Sequence, residues 1–129
     1  MQTGNLLYDD LMAEIIAHLK NACKKAIAAG IEWDHLAVDP GIGFGKTYED
    51  NCRIVKKVAE MKILGLPILI GTSRKSFIGQ VTGGSAADRI EGTAATVATA
   101  IINGCHIVRV HDVSAMKKVA AMTDAIIHA

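Results

Sequence analysis

Apolar residues recur at helical spacing from about Tyr8 to Ala29, through Leu11, Ile15, Leu19, Ala22 and Ala26, and Gly30 stands where a C′ residue closes a helix. Leu36-Ala37-Val38 follows, too short an apolar run for a helix and stopped by Asp39-Pro40-Gly41, and so predicted to be a buried strand. Past the glycine-rich stretch Gly41-Ile42-Gly43-Phe44-Gly45-Lys46, Thr47 precedes a second helical pattern through Ile54, Val55, Val58 and Met61 that ends at Gly65. The unit recurs twice in outline. Pro67-Ile68-Leu69-Ile70 reads as a strand, Gly71-Thr72-Ser73-Arg74-Lys75-Ser76 as its loop, and about Ala86 to Asn103 as an Ala-rich helix closed by Gly104. Ile107-Val108-Arg109-Val110 is the last strand, His111-Asp112 its loop, and roughly Ser114 to Ile127 a helix with Met116, Val119, Ala120 and Ile127 on its apolar stripe.

The predicted order is therefore α-β-α-β-α-β-α, three strands and four helices. Continuously apolar strands separated by helices form a parallel sheet covered by helices, either doubly wound or part of a (β/α) barrel. The order opens on a helix with no strand before it, and a closed barrel takes eight strands. The pattern reads as the latter part of a larger fold.

Composition narrows the function classes. Of 129 residues, 50% are hydrophobic and 21% charged, which excludes a disordered segment, and with 4% aromatics the core must be aliphatic. A net charge of +1 gives no sequence-wide attraction to nucleic acid or an anionic membrane. No apolar stretch approaches the ~18–20 residues of a membrane span, and the first ten residues lack the basic and apolar parts of a signal peptide. Cys23, Cys52 and Cys105 are odd in number and far apart, which reads as small buried thiols in a reducing cytoplasm, neither a disulfide framework nor a zinc site.

The chemistry lies at the predicted strand ends. Asp39 closes the first strand, Ser73-Arg74-Lys75-Ser76 follows the second, and Arg109, His111 and Asp112 lie at or beyond the end of the third. In parallel α/β folds these ends open on one face, where ligands bind. Such a mouth suits a ligand bearing phosphate or carboxylate groups, with Asp39 facing a hydrogen-bond donor. Plainer roles stand beside these: Asp39 capping a turn, Arg74 in an ion pair or in solvent, Lys75 as a solvated charge, His111 as a structural histidine. Arg109 interrupts an apolar strand, where burial of an unpaired guanidinium is costly. His18, His35, His106 and His128 lack such company and read as ordinary. The glycine-rich loop fits neither a P-loop, since Pro40 stands where its first glycine belongs, nor a dinucleotide fingerprint, since Lys46 stands three after Gly43. Its glycines instead allow tight turning and close approach to a ligand.

Together, Asp39-Pro40-Gly41-Ile42-Gly43-Phe44-Gly45-Lys46, Leu66-Pro67-Ile68-Leu69-Ile70-Gly71-Thr72-Ser73-Arg74-Lys75-Ser76 and Ile107-Val108-Arg109-Val110-His111-Asp112-Val113 resemble the dihydropteroate synthase family, in order and separation, as does Tyr8-Asp9-Asp10. The resemblance implies a (β/α)₈ barrel of which residues 1–129 are the C-terminal half, roughly strands six to eight with their helices. It implies a cytoplasmic transferase of folate synthesis and sulfonamide target. This enzyme joins 6-hydroxymethyl-7,8-dihydropterin pyrophosphate to 4-aminobenzoate, with Mg2+, to give 7,8-dihydropteroate and pyrophosphate. In that scheme pyrophosphate leaves first and the arylamine attacks a pterin-methylene cation. Carried over, Asp39 accepts from the pterin ring and Lys75 donates to its carbonyl side. Arg109 stacks on the pterin and reaches the pyrophosphate, and His111 is a second phosphate donor. Ser76, at a helix start, holds the aminobenzoate carboxylate and Phe44 packs on its ring. Gly43 and Ser73 complete the substrate-binding set. The metal-binding Asn, the first two loops and the other pterin-binding Asp and Asn belong to the part before this chain, so no metal ligand is expected within it. The implied partners are the two small substrates and a second copy in a homo-oligomer, with neither nucleic acid nor membrane. Related readings are a pterin-binding methyltransferase barrel, against which Ser73-Arg74-Lys75-Ser76 and Arg109-x-His111 speak, and a non-catalytic half-barrel.

Overall fold

The computed structural model describes the backbone of residues 4–129 and, in the first helix, the side chains from residue 11 onward; Tyr8-Asp9-Asp10 of the resemblance lie outside the described side chains. Helix α1 spans Gly4–Ala28, α2 Tyr48–Lys56, strand β1 Leu69–Ile70, α3 Ser76–Thr82, α4 Ile90–Ile102, β2 Ile107–Val108 and α5 Val113–Ile127. Tight 3₁₀ turns occupy Trp33–His35, Val58–Leu64 and Ala86–Asp88.

The expected strands lie side by side and parallel. Leu69 pairs with Ile107 and Ile70 with Val108, while Val38 meets Ile68 in a single parallel bridge on the other side. The first expected strand, Leu36-Ala37-Val38, is thus reduced to one bridged residue, held by Val38 N–H to the Pro67 carbonyl (2.9 Å) and Leu69 N–H to the Val38 carbonyl (2.8 Å). The outer strands have no further partner strand among the described residues, so only positions with a ladder neighbour keep strand geometry. Behind the sheet the buried core is aliphatic: Ile42, Ile54, Val58, Met61, Ile68 and Ile70 are each no more than 1% exposed.

Helix limits follow local chemistry. The Thr47 side chain accepts the Asp50 N–H at 3.1 Å and starts α2. The Asn103 side chain donates to the Val55 and Lys56 carbonyls (3.1 and 3.0 Å), satisfying the end of α2 from a distant loop. The single helix expected up to Gly65 instead breaks at Lys57 into the 3₁₀ turn, and the one expected from Ala86 begins in earnest only after Arg89, whose φ is −101° and ψ 16°. In α1 the buried stripe runs through Met12, Ile15 and Cys23, with Leu11 and Leu19 at its flank; Ala22, expected on it, is exposed. Helix α3 makes five α-helices among the described residues where four were expected, because seven residues with Gly79 among them carry too little periodicity to register. Cys23 is buried, Cys105 half-buried and Cys52 exposed, so the buried reading of the cysteines fails at Cys52. Among the described residues, no helix is long and apolar enough to cross a membrane.

Candidate active site

The loops after Val38, β1 and β2 open on the same end of the sheet, and Lys75 ties the first two together. Its ammonium donates to the Ile42 carbonyl at 2.5 Å and lies 5.1 Å from the centre of the Phe44 ring, a cation–π contact. Gly43 makes this approach possible: its φ is +91°, and a Cβ there would stand 3.1 Å from Lys75 Cδ. Burial, then the nearby Arg109 charge, pushes the Lys75 ammonium below the usual lysine range, with Asp39 pulling the other way. Two cations lining one cleft favour the arrival of an anion there.

Arg109 is exposed rather than buried in its strand, which corrects the sequence expectation. β2 ends at Val108, and although the Arg109 amide still donates to the Ile70 carbonyl (3.1 Å), its guanidinium lies over Gly71, where a Cβ would come within 3.0 Å of Nη2. His111 is fixed twice by the buried Ser73: its Nδ1 lies 2.8 Å from Ser73 Oγ, and its amide donates to the same oxygen at 3.0 Å. Gly71, Ser73, Lys75, Arg109, Val110 and His111 line one cleft of about 260 Å³. Arg74 faces away from it and grips Asp112 through Nη2 (2.8 Å) and Nε (3.3 Å), the ion-pair role open from sequence. Each raises or lowers the other in the sense that favours charge, Arg74 upward and Asp112 downward.

Asp39, Phe44 and Lys46 line an adjoining hollow of about 410 Å³ between the loop and α1. Asp39 Oδ1 accepts the Gly41 N–H at 2.8 Å, so the turn-capping role is present, with its second oxygen unengaged by that bond. Phe44 is 71% exposed, its ring available to a flat ligand. Ser76 opens α3 and is exposed, outside the lining of the 260 Å³ cleft. His106 is structural, accepting the Ile68 N–H on Nδ1 at 3.0 Å.

Sequence reasoning missed Asn51. It is 2% exposed and accepts the Gly43 N–H on Oδ1 at 2.9 Å, pinning the glycine loop to α2. A polar residue three, four and seven positions before the buried Ile54, Val55 and Val58 was the signal available for it. Mg2+ does not fit the donors at this mouth: Asp39 is turned to an amide and Asp112 to a guanidinium. Among the described residues the one group able to converge on an ion, Glu32, Asp34 and His35, is exposed and lies before Val38, at the opposite end of the sheet.

A family model for pterin binding enzymes matches residues 1–111. The chain belongs to the pterin binding enzymes. Among curated relatives, dihydropteroate synthase of Bacillus subtilis is 44% identical over 121 residues, 94% of this chain and 42% of that protein. Among solved structures, the dihydropteroate synthase of Xanthomonas albilineans in complex with 7,8-dihydropteroate is 36% identical, with a TM-score of 0.88 over 92% of this chain and 45% of that one. The Thermus thermophilus enzyme in complex with 4-aminobenzoate is likewise 36% identical, with a TM-score of 0.84 over 90% and 47%. The resemblance to dihydropteroate synthase read from the three motifs thus holds along the chain, and its parallel strands and outer helices are part of a (β/α)₈ barrel. The chain spans less than half the length of each of these relatives.

Proposed function

We propose that this chain provides the C-terminal half of a pterin-binding barrel domain and much of the active site of a cytoplasmic dihydropteroate synthase of folate synthesis. The observation that carries the reading is the convergence of Lys75, Arg109 and His111 on one cleft beside the exposed Phe44 ring. In this role the diphosphate of 6-hydroxymethyl-7,8-dihydropterin pyrophosphate lies against Arg109 and His111, whose donors stabilise the charge that grows as the C–O bond to the leaving group breaks. The Arg109 plane lies over the pterin. Lys75 has ammonium protons beyond the one given to Ile42 and donates to the pterin carbonyl, while the unengaged oxygen of Asp39 accepts from a ring N–H. The 4-aminobenzoate ring packs on Phe44 with its carboxylate at Ser76, presenting its amine to the methylene carbon. Once the C–O bond has broken and pyrophosphate has left, the amine attacks the pterin-methylene cation, forms the new C–N bond and gives up a proton to complete 7,8-dihydropteroate.

The donors at this mouth do not suit Mg2+; in this reading the ion and the remaining pterin contacts come from the preceding part of the barrel. The test mixes this chain with a polypeptide carrying the preceding part of a relative and follows dihydropteroate formation. Turnover in the mixture alone, lost on Arg109→Ala, is expected. Turnover indifferent to both Arg109→Ala and Lys75→Ala would contradict the assignment.

A further inference from the structure

Arg74 has a φ of +58°, the one positive value outside glycine among the described residues, which is unfavourable for a side chain of this size. Its backbone and side chain are held at both ends. Its amide donates to Thr93 Oγ1 (3.2 Å), its carbonyl accepts from Arg89 Nη1 (2.8 Å), and its guanidinium is paired with Asp112. Behind it the Thr96 hydroxyl donates to the Thr93 carbonyl and stands 2.7 Å from that of Thr72, so Thr72 is the donor of that pair and the inner wall is fixed. The backbone conformation is therefore imposed from several sides, which is how strain at a functional segment persists.

Arg89 is the unusual member. Its guanidinium lies flat on Gly79 of α3, where a Cβ would come within 2.7 Å of Nε and 2.8 Å of Nη2. Its Nε is buried without a hydrogen-bond partner. A glycine inside a helix and an unsatisfied buried donor are both unfavourable. What the arrangement yields is the bond from Nη1 to the Arg74 carbonyl, between Ser73, which fixes His111, and Lys75 and Ser76.

We propose that Arg89 is a positioning residue: seated on Gly79, it holds the Arg74 carbonyl and thereby sets Ser76, at the start of α3, for the aminobenzoate end of the ligand. The proposal rests on the function inferred above for this site. Arg89 then acts on that end far more than on the pyrophosphate end, where Ser73 holds His111, the Arg109 guanidinium lies over Gly71, and the Lys75 ammonium keeps its own bond to the Ile42 carbonyl.

The experiment compares Arg89→Ala and Gly79→Ala with the unaltered chain. It measures amide hydrogen exchange and the affinities for 7,8-dihydropteroate and for inorganic pyrophosphate. For Arg89→Ala, exchange at Arg74 and Lys75 should quicken while Val38 and Leu69 in the sheet stay protected. Dihydropteroate affinity should fall about tenfold, and pyrophosphate affinity should hold within about twofold. Added guanidinium ion should restore both readouts. Gly79→Ala should show the same split even though alanine favours the helix. Unchanged exchange, or equal loss of both ligands, overturns the positioning role. Failure of the unaltered chain to bind 7,8-dihydropteroate overturns the functional reading and the ligand part of this one together. Normal binding with unchanged exchange in both variants overturns this proposal alone.

Discussion

At the scale of single residues, the cleft sets Lys75 and Arg109 apart from the other cations. Removal of either as alanine should weaken pyrophosphate binding roughly ten- to a hundredfold, the worth of one charge-assisted hydrogen bond. Lys117→Ala, on the exposed surface of α5, should leave it unchanged; titration calorimetry on the three variants checks this. The depressed Lys75 ammonium gives the pH dependence its sign. As pH rises it neutralises below the ordinary lysine value of 10.5, so anion affinity should decline at a lower pH than an ordinary lysine would give. Over that interval the unfolded chain binds more protons than the folded one, so stability should rise while affinity falls. A Lys75→Met variant should show neither trend. That Asp39, Lys75, Arg109 and His111 lie at one end of the sheet was legible from sequence, because strand ends of a parallel sheet share a face whatever their separation along the chain. The partners were not. Ser73 on His111, Asn51 on Gly43 and Arg89 on Arg74 are pairs 38, 8 and 15 residues apart, set by packing rather than by any spacing.

At the scale of elements, the glycine loop is positioned from α2 and filled from the β1 loop. Asn51→Ala leaves the Gly43 amide without its acceptor and should cost about 1–3 kcal/mol in denaturant unfolding. Gly43→Ala faces both a positive φ and the Lys75 stem, and should cost about 1–3 kcal/mol as well as displacing Lys75 from Phe44. A fall in ligand affinity with no stability change in Gly43→Ala would show that the backbone conformation is not the constraint. Hydrophobic period placed the helices, since a face that packs must repeat every 3.6 residues. It could not find the breaks at Lys57 and Arg89, which depend on what the backbone meets in space, nor α3, which is too short to show a period. It overestimated the strands for a physical reason. An apolar run such as Leu36-Ala37-Val38 becomes a strand over its length only with a ladder partner along that length, and here only Val38 has one.

At the scale of the whole molecule, two sheet edges and several large apolar side chains lack cover among the described residues. Ile63 is 81% exposed, Ile126 64%, and Ile107, within β2, 42%. Open edges and apolar surface favour association, each Å² of apolar area withdrawn from water contributing about 25 cal/mol. The 129-residue polypeptide alone is therefore expected to self-associate at micromolar concentration and to be inactive by itself, as light scattering and a dihydropteroate assay would show. A folded monomer at that concentration would mean that the exposed faces are tolerated. The cleft is independent of this outcome, because its loops are fixed from within the chain. Lys75, Arg109 and His111, which line it together, are expected to form one anion site. The most direct measurement is a titration of inorganic pyrophosphate followed by NMR of the labelled chain. Saturable shifts should appear at Arg109, His111, Ser73 and Lys75, with the Glu32–His35 turn at the other end of the sheet unmoved. Shifts confined to that far end, or none at the three strand-end loops, would contradict the account.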